Sequence, residues 1–264
     1  MQAVKDEAIE EVSVMTWNIL RDEWAKGEHS SWNEREPNAT SILGDHLPDL
    51  VGLQEETKDQ VESITRALPS YSYLTPHHSH GGGLLIRKES WVVIESGKIQ
   101  IPRGREASWA KLESSRSRQP WLFYNAHLMH RKAENSAADR MEAVKAIGEH
   151  VLRHAPHGIP VVMTGDFNSL HDEPALRYLT GDIESPVMFS NSFNLIHGAN
   201  DARGTFRGLS IEHQCDRIDH ILINNHVIVN VAEIINYDEL QAPYPSDHYP
   251  VIAKLRINLI KTSN

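Results

Sequence analysis

Six strand-like apolar runs in this chain each end in polar residues that can bind a metal ion or transfer a proton. They lie at residues 14–18, 51–55, 124–127, 161–168, 217–219 and 246–248. A β-strand that ends in Asn, Glu, His or Asp presents that side chain at the edge of its sheet, where it can face a cleft. Solvated loops are a poor explanation for six such ends. The pattern therefore predicts a strand-rich fold with one shared polar cleft.

Composition and element spacing favour one globular domain. The chain has 264 residues, of which 40% are hydrophobic, and this is enough for a sizeable core. Strand-like and helical segments alternate from end to end, with no linker rich in Pro, Gly or Ser. We therefore expect a single domain over residues 1–264, with residues 1–11 as a flexible N-terminal extension. We also expect a monomer.

The charge balance argues against a protein that binds duplex DNA in bulk. The 26 basic and 36 acidic residues give a net charge of −10, whereas a basic surface supplies most of the non-specific affinity for DNA. A local basic cleft is still compatible with this balance. Part of the acidic excess is expected to be catalytic carboxylate that a bound cation neutralises.

Features that govern location favour a soluble cytoplasmic protein. The single cysteine, Cys215, excludes an intramolecular disulfide. No apolar run reaches the roughly 18 residues of a transmembrane helix, and the N-terminus has no hydrophobic signal region. A secreted or periplasmic protein whose signal peptide has been removed would look the same, and it stays open as an alternative.

The order of the predicted elements indicates a layered α/β fold. Helical periodicity predicts helices over 57–68, 135–153 and 173–180, and Pro37 is expected in the first turn of a further short helix. Residues 21–36 are expected to form a functional loop, and residues 181–210 are expected to be irregular. The fold class is therefore α/β, with two sheets packed face to face and helices outside. Strands are predicted at 12–18, 50–55, 71–75, 83–87, 91–99, 107–113, 120–127, 160–166, 217–223, 226–235 and 249–257.

Glu55 and Asn18 are candidate ligands of a divalent cation. Glu55 ends an apolar strand, where an unpaired carboxylate is costly to bury. Mg²⁺ binds one or two carboxylates together with water and substrate oxygens, and the carbonyl oxygen of Asn18 could support the same ion. The alternatives are that Glu55 caps the helix at residue 57 and that Asn18 makes a turn.

Asp166 and Asn168 form a second candidate pair. The sequence Gly-Asp-Phe-Asn predicts that both lie on one side of an extended segment, with Phe167 pointing into the packing. A carboxylate and an amide placed in this way could hold a nucleophilic water and a phosphoryl oxygen. An Asx-type turn is the alternative.

The adjacent residues Asp247 and His248 are suited to different tasks. Asp247 can bind a metal ion, while His248 can act as a base near neutral pH. Such a histidine needs an orienting carboxylate. Asp219 is the candidate, because a buried Asp without a partner is costly.

His127 and Arg105 could act on the phosphate. His127 ends a strand and could donate a proton or stabilise charge, and Arg105 flanks a strand where a cation could meet a phosphate. Taken singly, a histidine at a strand end is more often structural and an arginine is more often a surface charge.

A histidine-rich segment offers a competing metal site. His77, His78 and His80 precede three glycines, and a zinc hydrolase would use them as ligands. These imidazoles are too close in the chain to share one tetrahedral ion easily. The glycines lack the lysine and the Ser or Thr of a nucleotide P-loop. With no Gly-x-Ser-x-Gly elbow either, a nucleophilic side chain has little support.

Taken in order, these residues resemble the endonuclease/exonuclease/phosphatase superfamily, the DNase I-like metal-dependent phosphoesterases. Each string is weak alone, but the ordered set covers nearly the whole chain and is highly specific. The resemblance implies a four-layered α/β sandwich, with the active site at one edge and a Mg²⁺ or Mn²⁺ ion. The matching strings are 17–18, 53–55, Arg105 with 109–112, 125–128, 165–169, 204–206, 217–221 and 246–251.

The resemblance also implies roles for the residues that would bind the metal and move the proton. Glu55 would be the main metal ligand, with Asn18 and Asp247 nearby. His248, paired with Asp219, would deprotonate or orient the water that attacks phosphorus in line.

A second group of implied roles concerns the phosphate. Asp166 and Asn168 would position water, phosphate or a second ion. His127 and Arg105 would stabilise the pentacovalent transition state, and His127 could assist the leaving group. These roles imply a hydrolase that cleaves a phosphoester, preferably a phosphodiester, with an activated water.

The substrate stays open. Abasic-site endonucleases carry a Tyr where 125–127 stands, and inositol-polyphosphate 5-phosphatases carry a Trp-x-x-Arg signature from which 214–217 departs. Asn-x-His-Leu is similar to neutral sphingomyelinases, nucleases and deadenylases. Trp32-x-x-Arg35, with Gly-Thr-Phe at 204–206, most resembles a bacterial group. We expect a phosphorylated small molecule, lipid headgroup or nucleic acid. The alternatives are a nuclease acting on DNA or RNA and a non-catalytic binding module with the same fold.

Overall fold

Two mixed β-sheets of six strands each form the centre of the protein. The computed structural model describes residues 9–25, 30–74, 82–155, 158–208, 215–238 and 243–258. The strands are β1 (Ile9–Asn18), β2 (Leu50–Gln54), β3 (Tyr71–Leu74), β4 (Gly82–Arg87), β5 (Trp91–Ile101), β6 (Arg105–Ser114), β7 (Pro120–His127), β8 (Val161–Asp166), β9 (Ser190–Asn191), β10 (Asp219–Ile223), β11 (Ile228–Ile234) and β12 (Val251–Asn258). The helices are α1 (Trp32–His46), α2 (Lys58–Ala67), α3 (Ser136–His154), α4 (Pro174–Thr180) and α5 (Ser192–His197). The strand order is β11-β12-β1-β2-β4-β3 in the first sheet and β5-β6-β7-β8-β10-β9 in the second.

Helices cover the outer faces of both sheets, which gives four layers. In β1, Val12 and Val14 pack between the sheets with Phe123 of β7, whereas Met15 and Trp17 pack with side chains of α1 and α2. Side chains of α3 and α4 cover the outer face of the second sheet. Because central strands are buried on both faces, their sequences are near-continuous apolar runs. The structure confirms the expected α/β sandwich.

A parallel strand pair lies within each sheet, and both pairs end at the site. β1 and β2 are parallel, with Asn18 opposite Gln54, and β7 and β8 are parallel, with His127 opposite Asp166. Parallel neighbours bring their carboxyl ends to the same edge of a sheet. The two edges meet, because Asn18 Nδ2 donates across the sheets to Asp166 Oδ2 at 3.1 Å. The polar strand ends therefore converge, as the sequence predicted.

The side chain of Asn125 joins the two sheets in the buried layer between them. Glycines at positions 52 and 82 make room for it, since a Cβ at Gly52 would lie 2.4 Å from its Oδ1 and a Cβ at Gly82 would lie 2.1 Å from its Nδ2. The amide is fully buried, and its polar atoms are satisfied within the protein. Its partners are Leu53 O at 2.7 Å, Gly83 O at 2.9 Å, Gln54 Nε2 at 2.7 Å and Thr164 Oγ1 at 3.1 Å.

The first helix begins earlier than the sequence indicated. A loop was expected over 21–36, but α1 starts at Trp32, and Pro37 lies inside the helix instead of in its first turn. Ser31 and Glu34 form a capping box, in which Glu34 Oε2 accepts from Ser31 N at 2.8 Å and from Ser31 Oγ at 2.7 Å. A capping box satisfies backbone donors that a helix start leaves exposed. The polar composition of the segment hides this signal.

The prediction of a flexible extension over 1–11 is wrong for residues 9–11. They belong to β1 and pair with β12, with Ile9 opposite Asn258. Glu10 is buried and accepts hydrogen bonds from Ser114 Oγ and, at 2.7 Å, from Ser117 Oγ. Serine hydroxyls thus satisfy a carboxylate whose charge disguised the start of the strand.

The segment 181–210 is less irregular than expected, because it contains β9 and α5. Asn191 caps α5 by accepting from Phe193 N at 3.1 Å and from Asn194 N at 3.2 Å. Both elements are too short for periodicity to reveal.

Among the residues that the structure describes, no helix is both long and apolar enough to cross a membrane.

Candidate active site

An open cleft of about 660 Å³ lies at the edge where β2, β7 and β8 end. It brings together carboxylates, imidazoles and cationic side chains with two apolar ones. Every candidate residue from the sequence except Asn18, Arg105 and Asp219 lines it directly. The lining residues are Glu55, His127, His130, Arg131, Lys132, Asp166, Asn168, Phe206, Asp216, Ile218, Asp247 and His248.

Glu55 follows β2 in a left-handed backbone conformation, with φ of 61°. A non-glycine residue is seldom found there, and such conformations cluster at functional sites. The turn aims the carboxylate at the cleft, where Oε1 accepts from Asn18 Nδ2 at 3.0 Å and Oε2 accepts from Arg21 N at 3.3 Å. Burial, and then the nearby Asp247 carboxylate, raise the pKa of Glu55. The carboxylate is thus held in place but is short of positive charge.

Asn18 acts as a donor between two carboxylates. Its Nδ2 lies 3.0 Å from Glu55 Oε1 and 3.1 Å from Asp166 Oδ2, while its Oδ1 accepts from Leu20 N at 3.1 Å. The sequence predicted that the carbonyl oxygen would support a cation. In the structure that oxygen is engaged by the backbone, and the amide nitrogen faces the carboxylates.

Asp166 is buried at the end of β8. Burial and the neighbouring Asp219 carboxylate raise the pKa of Asp166 to about 7. Asn168 N donates to Asp166 Oδ1 at 2.9 Å, and Asn168 has φ of 47°. The segment is therefore turned after Phe167, and the expectation of an extended segment is wrong at Asn168, where an Asx-type contact replaces it. Asn168 Nδ2 donates to Leu128 O at 3.1 Å.

His248 and Asp219 form a buried hydrogen-bonded pair. His248 Nδ1 lies 2.8 Å from Asp219 Oδ2, although the residues are 29 positions apart. The backbone at the start of β10 is fixed by Thr205 Oγ1, which accepts from Ile218 N and Asp219 N at 3.1 Å each. Burial lowers the pKa of His248, but the Asp219 carboxylate outweighs it and raises that pKa well above its ordinary value. The predicted pairing is confirmed.

His127 faces the carboxylates from the end of β7. Its Nε2 lies 3.5 Å from Asp166 Oδ2 and 3.9 Å from Glu55 Oε1. Arg105 lies behind it, and Nη1 of Arg105 donates to His127 O at 3.1 Å and to Leu128 O at 3.0 Å. The sequence placed Arg105 on the phosphate. This nitrogen instead braces the backbone that carries His127.

The carboxylates of the cleft fit a divalent cation. After burial, the Asp247 carboxylate is the next cause of the raised pKa of Glu55, and Asp247 is only partly buried. Oxygen ligands of this kind suit Mg²⁺ or Mn²⁺. A cation between them would reduce the repulsion between the two carboxylates.

A second grouping also has metal-like spacing. Ligand atoms of Asp166, Asp219 and His248 all lie within 4.8 Å of one another. The His248–Asp219 hydrogen bond already occupies one atom of each residue, and all three side chains are buried. Glu55 and Asp247, which open on the cleft, are therefore the better-placed ligands. The competing histidines 77, 78 and 80 lie outside the described residues.

Arg35 lies outside the cleft and holds backbone segments next to the site together, a role that the sequence did not predict. Its guanidinium is fully buried, with Nη1 donating to Ile19 O at 2.9 Å and to Pro245 O at 2.8 Å, and Nη2 donating to Leu20 O at 2.9 Å. These contacts tie the segment after β1 to the segment before Asp247. A charged residue on the apolar face of α1 was the available signal.

The fold and cleft together define a phosphoesterase of the DNase I-like type. The model of the endonuclease/exonuclease/phosphatase family matches residues 15–248. The chain belongs to this family. No curated protein sequence matched the chain.

Solved structures share the fold over almost the entire chain. A family protein from Bacteroides thetaiotaomicron has a TM-score of 0.78 and 20% identity, covering 96% of this chain and 100% of that one. A mannosyl-6-phosphatase from the same organism has a TM-score of 0.75 and 20% identity, covering 92% and 99%. D. rerio TDP2, complexed with a single-strand DNA product, has a TM-score of 0.75 and 20% identity, covering 93% and 99%. At these identities the similarity establishes the fold.

Proposed function

We propose that the protein is a Mg²⁺- or Mn²⁺-dependent phosphodiesterase that directs a water molecule at phosphorus in line with the leaving group. The observation that carries the proposal is the His248–Asp219 pair, with its 2.8 Å hydrogen bond, in the wall of a cleft that also holds Glu55 and Asp247. A base fixed by a carboxylate, beside two further carboxylates that could hold a cation, suits metal-assisted phosphoester hydrolysis.

Glu55 and Asp247 would hold the cation, and Asn18 would orient Glu55. When bound, such a cation supplies Lewis-acid stabilisation of charge on the phosphoryl oxygens. Asn18 supports this role by hydrogen bonding, because its Nδ2 donates to Glu55 Oε1 at 3.0 Å and so limits the carboxylate's rotation. Asn18 as a direct ligand stays a prediction.

In its neutral form, His248 would take the proton from the attacking water. Its Nδ1–H donates to Asp219, which fixes the tautomer and leaves Nε2 for the cleft. Nε2 lies 3.9 Å from Asp166 Oδ2, so one water molecule could form hydrogen bonds with both His248 and Asp166. Asp166 would thereby orient the water while His248 accepts its proton.

His127 and Asn168 would bind the phosphoryl group. His127 Nε2 is directed at the carboxylates across the cleft, and it could donate to a phosphoryl oxygen or to the leaving group. Arg105 would position His127 through the backbone hydrogen bond to His127 O at 3.1 Å. All of these residues come from one chain, so we propose that one copy suffices.

The substrate would be a small, lipid or single-stranded nucleic-acid phosphodiester. The net charge of −10 disfavours a long duplex. A nuclease is the second candidate. For a nuclease, the fold shared with D. rerio TDP2, which was solved with a single-strand DNA product, favours a single-stranded substrate.

A substrate panel tests the proposal. The purified protein is assayed with Mg²⁺ and with Mn²⁺ against bis-p-nitrophenyl phosphate, p-nitrophenyl phosphate, sphingomyelin, inositol phosphates, plasmid and single-stranded oligonucleotides. We expect multiple turnovers on at least one diester, with His248→Ala as the inactive control. Binding without turnover of any ester would instead support the non-catalytic binding module.

A further inference from the structure

An arginine on the rim of the cleft is held by two carboxylates. Arg131 follows β7 and lines the cleft with its neighbours His130 and Lys132. Its Nη1 lies 2.6 Å from Asp216 Oδ2, and its Nη2 lies 3.1 Å from Glu173 Oε1. Arg131 and Lys132 are the cationic side chains on this rim, and they line the same cleft as the carboxylates of the acidic centre.

The ion pairs of Arg131 can be exchanged at little cost. The side chains of Arg131 and Asp216 are 37% and 46% exposed, and exposed ion pairs contribute little to stability. Glu173 also lies 3.5 Å from Arg140 Nη2. If the Arg131 guanidinium bound another anion instead, water would solvate the Asp216 carboxylate. Glu173 would keep its contact with Arg140.

Asp216 is fixed close to the candidate base. Phe206 forms β-bridges with both Asp216 and His248, and Phe206 N donates to Asp216 O at 2.9 Å. The Phe206 ring also packs on the His248 ring, with centroids 4.9 Å apart. Through these contacts Asp216 holds Arg131 at a set position beside the reaction centre.

The geometry points to Arg131 as the binding site for a second phosphate group on the substrate. The inference rests on the proposed function, which places the scissile phosphate at His127 and Asn168, in the cleft that Glu55 and His248 also line. A phosphate monoester carries more charge than a carboxylate and accepts two guanidinium N–H groups side by side. It would displace Asp216, whose carboxylate keeps Arg131 in position when the site is empty.

Equilibrium binding tests this site without requiring turnover. Calorimetry in Mg²⁺ compares thymidine 3′,5′-bisphosphate with thymidine 3′-monophosphate, and glucose 1,6-bisphosphate with glucose 1-phosphate. We expect the bisphosphate of one pair to bind about tenfold more tightly, the effect of one good charge-assisted contact. The pair that shows the preference distinguishes a nucleotide skeleton from a sugar.

Three variants assign the preference to Arg131. Arg131→Gln should reduce the preference to less than about twofold, and Asp216→Asn, which removes the competing anion, should increase it. Arg118→Gln is the matched control, because Arg118 Nη2 pairs with Glu113 Oε1 at 2.6 Å on a turn away from the cleft. It should leave the preference unchanged. Thermal unfolding verifies that each variant is folded.

The outcomes separate this inference from the proposed function. Absence of a preference in both pairs, or a preference that survives Arg131→Gln, would overturn the second-phosphate site. A protein that hydrolyses bis-p-nitrophenyl phosphate but shows no preference contradicts this inference alone. A protein that shows the preference but hydrolyses no ester contradicts the proposed function.

Discussion

The two sheets supply different parts of the candidate site. The contacts that complete it cross from one sheet to the other: His248 Nδ1 to Asp219 Oδ2 at 2.8 Å and Asn18 Nδ2 to Asp166 Oδ2 at 3.1 Å. Neither sheet alone therefore holds a complete centre, and the site forms only where the sheets pack together. The first sheet and its connections carry Asn18, Glu55, Asp247 and His248, and the second carries Arg105, His127, Asp166, Asn168 and Asp219.

The carboxylates of the two sheets also differ in environment. Asp166 and Asp219 of the second sheet are 2% and 1% exposed, whereas Asp247 of the first is only partly buried. Buried carboxylates keep a fixed orientation because packing and hydrogen bonds surround them. Open carboxylates can exchange water for a cation. We therefore propose that carboxylates of the first sheet bind the cation and that those of the second sheet orient the imidazole.

The largest effect should come from removing the imidazole that crosses the interface. His248→Ala should lower turnover of bis-p-nitrophenyl phosphate by about three orders of magnitude, within the usual range for a lost general base. Mg²⁺ affinity should change little, because the open carboxylates remain. Kinetics and calorimetry on the same preparation measure both quantities. A large loss of Mg²⁺ affinity would contradict the division between the sheets.

Acid should remove the stability that two buried, neutral histidines of the second sheet and its covering helix contribute. His220 of β10 is buried, and burial lowers its pKa from 6.5 to about 4. His150 of α3, on the same side, is lowered to about 4, mainly by burial. A folded pKa below the unfolded one means that the unfolded chain binds more protons between pH 6.5 and 4, so stability falls as the pH falls through that window.

The contribution of His220 to the free energy of unfolding should have fallen by about 3 kcal/mol near pH 4. Urea unfolding at several pH values measures it, and His220→Gln should flatten the slope. In hydrogen exchange, a fall from pH 7 to pH 5 should accelerate the opening of β10, which carries His220, more than that of β1 and β2. Equal acceleration in both sheets would remove this difference between them.

The interface itself can be weakened at Asn125. Asn125→Ala would leave buried donors and acceptors of both sheets without partners, at a cost of about 2 kcal/mol in unfolding free energy. Asn200→Ala, at an exposed position, is the control and should have no comparable effect. Catalytic rate should fall along with stability, since the site depends on sheet packing. An unchanged unfolding free energy would show that Asn125 does not join the sheets.

A smaller effect should follow from removing the charge of Asp219, the second-sheet member of the His248–Asp219 pair. Asp219→Asn keeps the imidazole but in a poorer tautomer, so turnover should fall by about tenfold, less than in His248→Ala. The double variant should be scarcely slower than His248→Ala, as expected of residues that act as one unit. Multiplicative losses in the double variant would show that the two residues act independently.

The strand ends of the site were predictable because their signal is local. A buried strand is an apolar run, and a polar residue at its end is exceptional, as at Asn18 and Asp166. The pairing of His248 with Asp219 was also predictable, because a buried carboxylate needs a partner. Strand order and register could not be predicted, since they depend on contacts between distant segments.

The roles of the buried arginines were not predictable for a different reason. Arg35 and Arg105 donate to backbone carbonyls, and Pro245 O, a partner of Arg35, is 210 positions away. Every residue has a carbonyl, so the sequence does not mark the partner. The turn at Asn168 could be given only as an alternative, because the same four residues are compatible with either an extended or a turned segment.

The most direct test concerns the cation that the open carboxylates are proposed to hold. Hydrolysis of bis-p-nitrophenyl phosphate is measured after EDTA treatment and during Mg²⁺ titration, for the wild type, Glu55→Gln and the exposed-site control Glu142→Gln. We predict that EDTA abolishes activity and Mg²⁺ restores it, with Glu55→Gln needing at least about tenfold more Mg²⁺ because a neutral oxygen replaces an anionic ligand. Full activity in EDTA, or a wild-type Mg²⁺ requirement in Glu55→Gln, would contradict the assignment.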